Sequence, residues 1–209
     1  AIFRIEAIAR EKIDAAPTGA RLFFSDANAR AAIESHCAAR GVEARFIPPA
    51  AAAPLYGAHQ RANAALATAL ARDLLPLTDA EAAAGLANTR WPARLEVLQH
   101  DPLFVIDAGH TPAAIAAGLE GFRALAGAKR AVLICGASSD KDWRAMIAAL
   151  APGFALIIAA AAQHKGAPAA EIARVAAANA NPEAELIAAE SLEEARRFAL
   201  GAQGRTAQY

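Results

Sequence analysis

Between residues 103 and 188, short and almost wholly apolar runs alternate with segments of helical character. The runs are LFVI ahead of Asp107, AVLIC ending at Cys135, FALIIA ending near Ala160 and AELIA ending near Ala188. Runs this short, without polar alternation, suit strands buried on both faces. Strands separated by helices predict a parallel sheet with helices packed on either side. Helices are predicted over residues 112–125, 143–150 and 169–178, and Ser191-Leu-Glu-Glu194 supplies a capping box for a last one. The expected class is therefore α/β, with a Rossmann-like, mostly parallel sheet flanked by helices.

The residues ahead of this stretch are less regular. Ile2, Ile5 and Ile8 recur at a helical interval, and Pro17-Thr18-Gly19 ends that helix. Arg21-Leu-Phe-Phe-Ser25 and residues 42–47 read as strands. Between them a helix opens at Ser25 or Asp26 and closes at Gly41. A loop rich in proline and alanine covers residues 48–57, a strong helix follows over 58–75, and Thr78-Asp-Ala-Glu81 opens another that runs to about Ala87. Residues 95–98 and 103–106 flank His100-Asp-Pro102, which predicts two strands around a tight turn.

Composition limits the partners. Lysine plus arginine and aspartate plus glutamate both total 21, so there is no broad basic surface for a nucleic acid. Alanine supplies 64 of the 209 residues, which favours helix but buries little area, so the core must rest on fewer Leu, Ile, Val and Phe. Cys37 and Cys135 match no metal spacing and read as buried apolar residues in a reducing compartment. No apolar run is long enough to span a membrane, and the first residues lack a signal-peptide pattern. A cytoplasmic monomer without nucleic-acid or membrane partners is expected.

Polar residues collect where the predicted strands end, which is where open α/β sheets bind small molecules. The three loops are Asp107-Ala-Gly-His-Thr111, Gly136-Ala-Ser-Ser-Asp-Lys-Asp142 and Gln163-His-Lys-Gly166. Asp107 suits either a sugar hydroxyl or a loop anchor, and His110 either a ligand or a bond to nearby backbone. Lys141 reads as a ligand-binding cation or a solvated one. Thr111-Pro112 has the chemistry of a helix start, whose free amides also favour an anion. Walker-type, dinucleotide-fingerprint, zinc-protease and nucleophile-elbow motifs are all missing.

Five motifs occur in a recognisable order. They are Ile8-Ala-Arg-Glu-Lys12, Gly57-Ala-His-Gln-Arg-Ala-Asn63-Ala, Trp91-Pro-Ala-Arg-Leu-Glu96, Val105-Ile-Asp-Ala-Gly-His-Thr-Pro112, and Gly136 followed by Asp140-Lys-Asp142. Together they resemble the carboxyl-terminal portion of folylpolyglutamate synthase/dihydrofolate synthase, of the Mur ligase superfamily. They span about two thirds of the chain.

The resemblance implies an ATP-dependent ligase. It would phosphorylate the carboxylate of a folate or dihydropteroate and join it to the amino group of L-glutamate, using ATP and Mg2+. It also implies site residues: Asn63 on adenine, Arg94 on the nucleotide phosphates, Asp107 on the ribose, and His110 near both nucleotide and glutamate. Lys12 matches a lysine that relatives carry as a carbamate, a form able to ligate magnesium through oxygen; read without the match, Glu11-Lys12 is a solvated helix pair. The resemblance places residues 1–50 in the tail of a central ATP-binding domain and 51–209 in the glutamate ligase domain. The phosphate loop of that family is expected upstream of Ile8, so this stretch is expected to be part of a longer ligase and inactive alone. Several positions depart from the pattern. Asp-Gly-Ala-His-Asn has become Asp-Ala-Gly-His-Thr, Pro-Gly-Arg has become Pro-Ala-Arg, and a later proline-arginine has become Lys165-Gly166. The family's last strand, ending in Gly-Ser, is not evident in residues 201–209. Another Mur-type amino-acid ligase acting on a peptidoglycan precursor, and a non-catalytic nucleotide-binding module, are the alternatives.

Overall fold

The computed structural model describes residues 2–50 and 52–206, and the chain divides into two compact units that part between Arg90 and Trp91.

In the amino-terminal unit, α1 (Ile2–Asp14) precedes β1 (Arg21–Phe24), α2 (Arg30–Arg40) and β2 (Glu43–Phe46). The two strands pair in parallel, from Arg21 opposite Glu43 to Phe24 opposite Phe46. Ile13, Phe24, Ile33, Cys37 and Val42 close a small core around this β-α-β unit. Asp26 accepts hydrogen bonds from the amides of Asn28 and Ala29, so the expected cap holds the turn ahead of α2, which itself starts at Arg30. Gly41 ends α2 with φ 66°, a left-handed conformation that glycine adopts at little cost, and the amide of Val42 then reaches the Cys37 carbonyl at 2.9 Å. Helices α3 (His59–Leu74) and α4 (Asp79–Ala87) follow. Asp73 of α3 pairs with Arg21 of β1 and, at 3.4 Å, with Arg45 of β2. This tie holds α3 to the strands before it.

The carboxyl-terminal unit opens with an antiparallel hairpin, β3 (Glu96–His100) and β4 (Leu103–Ile106), in which Glu96 lies opposite Ile106 and His100 opposite Leu103. Helix α5 (Pro112–Ala126) leads into β5 (Val132–Cys135), α6 (Trp143–Leu150), β6 (Leu156–Ala160), α7 (Ala169–Ala177), β7 (Glu185–Ala189) and α8 (Leu192–Thr206). Strands β5, β6 and β7 form a parallel sheet with β6 in the middle, every residue of which is buried. Successive side chains of a strand point to opposite faces. Cys135, Ile157 and Ala159 therefore pack with Trp143, Ile147, Ile172 and Ala176 of α6 and α7. Leu156, Ile158 and Ala160 pack with Ala195 and Ala202 of α8.

One strand carries two expectations. β4 forms the expected hairpin with β3 and does not join the parallel sheet. Its residues alternate between half-buried (Leu103, Val105) and exposed (Phe104, Ile106), the signature of a strand covered on one face. Both cysteines are unpaired and buried, and burial pushes the Cys135 thiol up to about 12, which leaves it a core residue and not a nucleophile. Among the described residues no helix is long and apolar enough to cross a membrane.

Candidate functional site

The hairpin and the start of α5 build a backbone knot around Arg94. Asp107 follows β4, and its two carboxylate oxygens serve two different segments. Oδ2 accepts the amide of Leu95 at 3.0 Å, and Oδ1 accepts the amide of Gly109 at 2.7 Å. The amide of Ala108 donates to the Ala93 carbonyl at 2.8 Å, and the amide of Ala93 donates to Oε2 of Glu96 at 2.9 Å. The Arg94 turn and the His110 loop are thus joined through one acid. Asp107 is a loop anchor, and its two amide bonds use two of the roughly four lone-pair sites that an ionised carboxylate offers.

Ala93 and Leu95, on either side of Arg94, both sit in left-handed backbone, at φ 55° and 46°. Leu95 is buried and Arg94 half-buried. The Arg94 guanidinium makes no hydrogen bond or ion pair among the described residues. A left-handed residue with a Cβ costs roughly 1–2 kcal/mol. Ala93→Gly should therefore raise the stability of this unit by about 1 kcal/mol or less, once the greater freedom of glycine in the unfolded chain is subtracted. A higher midpoint in chemical denaturation is the expected result.

The order Ala108-Gly109 has a local cause. A Cβ at position 109 would lie 2.8 Å from Oδ1 of Asp107, so glycine is needed where the carboxylate folds back. Gly118 of α5 stands on another side of the same acid, with its Cβ position 3.4 Å from Oδ1. Thr111 caps α5 by accepting the Ala114 amide at 3.2 Å, with Pro112 at the first helical position. His110 is exposed, and its Nδ1 lies 3.3 Å from the Ala108 carbonyl.

The other two polar loops lock together past the ends of β5 and β6. Ser138 and Gly166 form an antiparallel bridge, the Ser139 amide donates to Lys165 O at 2.7 Å, and the Ala167 amide donates to Ala137 O at 2.9 Å. Gly166 abuts the backbone of Ala162, and a Cβ at Gly136 would lie 2.7 Å from the Ala160 carbonyl oxygen. Neither position has room for a side chain. Asp140 accepts from the Ser138 hydroxyl and faces Lys141 at 3.6 Å, and the two hold its carboxyl below the usual range.

The remaining expected site residues belong to the amino-terminal unit. Lys12 is in the last turn of α1, with its side chain 73% exposed and its ammonium 3.5 Å from Glu11. Asn63, on α3, is exposed and donates from Nδ2 to Oε1 of the buried Gln60 at 2.9 Å. Arg94, Asp107 and His110 are brought together by backbone bonds; Lys12 and Asn63 are each described within their own unit. Among the described residues no group of three or more His, Cys, Asp or Glu side chains is placed to hold a metal ion. Pattern reading missed Glu96 as a clamp. Its only trace was an acid two positions after the arginine of a proline-led turn.

Residues 93–206 match the family model for the Mur ligase glutamate ligase domain. The chain is 42% identical over 97 residues to a probable bifunctional folylpolyglutamate synthase/dihydropteroate synthase of Halobacterium salinarum, a match covering 46% of this chain and 12% of that protein. It is 35% identical over 109 residues to the folylpolyglutamate synthase of Lacticaseibacillus casei, covering 50% of this chain and 25% of that one. Folylpolyglutamate synthase of Mycobacterium tuberculosis, solved in complex with ADP and AMPPCP, superimposes with a TM-score of 0.83 at 21% identity, over 97% of this chain and 54% of that chain. The chain therefore spans about half of that solved structure and a quarter or less of these two relatives.

Proposed function

This chain belongs to the Mur ligase family through its glutamate ligase domain, and on that premise we propose that it is part of an ATP-dependent ligase that joins L-glutamate to a folate or dihydropteroate. The observation that carries the reading is the unpaired Arg94 guanidinium on a turn whose backbone is held by Asp107, Glu96 and Ala108.

In this reading each residue has a separate task. Arg94 presents a planar fork of donors to the nucleotide phosphates, where paired N–H bonds fix orientation as well as charge. Asp107 accepts ribose hydroxyls on the lone pairs that its two amides leave free. Asn63 retains one N–H and its carbonyl for adenine after bonding to Gln60. His110 faces the nucleotide and the incoming glutamate. The substrate carboxylate attacks the γ-phosphorus of ATP, giving an acyl phosphate and ADP. The glutamate amine then attacks the acyl carbon, phosphate departs, and the amine loses a proton as the amide forms. Positioning and charge stabilisation account for most of the catalysis in such a scheme. Magnesium would neutralise phosphate charge, and a carbamylated Lys12 is the residue of this chain that would ligate it. Lys12 stands without a cluster of acids around it among the described residues.

Residues 1–50 are assigned to the tail of the ATP-binding domain and 51–209 to the ligase domain, with α3 and α4 tied by contact to the former. The proposal includes a cytoplasmic monomer. A second reading, a ligase for a peptidoglycan precursor, draws on Thr111, whose hydroxyl is taken up by capping α5 where relatives are expected to carry an amide.

The test is ADP release by the full-length protein with ATP, L-glutamate and a panel of folates, dihydropteroate and a muramyl-peptide precursor. Coupled release with a folate or dihydropteroate is expected, and Arg94→Ala should lower kcat/KM about 10²-fold. Release with the peptide precursor alone would favour the second reading, and no glutamate-dependent release with any acceptor would defeat both.

A further inference from the structure

The turn that carries Arg94 is unfavourable by its own geometry. Two residues with side chains, Ala93 and Leu95, occupy left-handed backbone within three positions. Left alone, alanine returns to the extended or right-handed regions. Something must hold it. Asp107 and the Ala108 amide act from the far side, through the loop that also carries His110. Glu96 acts from the near side. It is the first residue of β3, fixed opposite Ile106 in the hairpin, and its carboxylate accepts the Ala93 amide at 2.9 Å. A hydrogen bond to an ionised acceptor is about twice as strong as a neutral one.

We propose that Glu96 is a positioning residue for the nucleotide: its carboxylate, through the Ala93 amide, holds the left-handed turn that aims Arg94 at the phosphates. The inference rests on the role given to Arg94 above. Glu96 itself touches no substrate. Its negative charge is spent on a backbone amide, which leaves the arginine free.

The test is steady-state kinetics of the full-length ligase with ATP as the varied substrate. Glu96→Ala should lower kcat/KM for ATP about tenfold, since small misplacements of a positioning group cost one to two orders of magnitude. The KM for glutamate should stay unchanged, which general damage to the fold would not allow. Glu96→Gln keeps a carbonyl oxygen for the amide and should recover most of the loss. Ala93→Gly adopts the left-handed turn unaided and should rescue Glu96→Ala, which also serves if the single variant folds poorly. In an Arg94→Ala background, Glu96→Ala should add nothing. Additive losses, or a loss shared equally by ATP and glutamate, would overturn the proposal. If Arg94→Ala is damaging and Glu96→Ala is silent, the Glu96 proposal alone fails. If Arg94→Ala is silent in an active ligase, the role of Arg94 fails and takes that of Glu96 with it.

Discussion

Asp107→Ala should reduce ATP-dependent glutamate ligation by about 10²–10³-fold, the scale seen when one preorganised polar group is removed from a reacting centre. Two effects combine. The carboxylate that would meet the ribose is lost, and the amides of Leu95 and Gly109 lose their shared acceptor. The second effect releases the Arg94 turn and the His110 loop from each other, so a group is both deleted and two others are misplaced. Asp107→Asn separates the two. Its single carbonyl oxygen satisfies one amide, while its NH2 group faces the other as donor against donor. An intermediate loss is expected. Steady-state kcat and KM for ATP report the effect, and the denaturation midpoint of the carboxyl-terminal unit should move little, because Asp107 lies outside its core clusters. Near-normal turnover of Asp107→Ala would leave the acid as a loop anchor only.

Ile158→Ala should destabilise the same unit by about 2–5 kcal/mol. Ile158 is fully buried in the middle strand, with Ile134 of β5 and Ile187 of β7 as its lateral neighbours. Above it lie Ala195, Ala199 and Ala202 of α8. Alanines have no rotamers with which to close a cavity, so the hole would stay open, and the upper half of that range is expected. Ile158→Val removes one methylene and should cost about 0.5–1.5 kcal/mol. Urea unfolding followed by a probe confined to this unit measures both, with an unchanged m-value as the check that only stability has moved. A midpoint for Ile158→Ala close to that of Ile158→Val would mean that α8 collapses onto the sheet after all.

Much of the architecture was readable because burial on two faces leaves a compositional mark. The runs at 132–135, 156–160 and 186–189 are apolar on successive residues, and all three became strands of one parallel sheet. Capping chemistry was equally local: Thr78 with Glu81, Thr111 with Pro112, and Ser191 with Glu194 each open the helix expected of them. LFVI misled because four apolar residues look alike in a central strand and in a half-covered hairpin. Neighbours in space make the difference.

The site divides along the same line. Arg94, Asp107 and His110 could be singled out from motif order, but the work of Asp107 could not. Its two acceptor bonds run to Leu95 and Gly109, one of them twelve residues away, and nothing in the spacing says that one carboxylate spans both. Glu96 was invisible for the same reason. Its value lies in a bond to the amide of Ala93, a residue held in left-handed backbone.

Residue order alone therefore sufficed for the three strands of the parallel sheet, the turn between β3 and β4, the helix starts and the family of motifs, since these follow from hydrophobicity and hydrogen bonding over a few neighbouring positions. The handedness of the Arg94 turn and the acids that hold it emerged only on folding. They depend on which backbone amides come within about 3 Å of which carboxylates, and that distance is set by how the hairpin and the loop into α5 bring Glu96 and Asp107 to the turn.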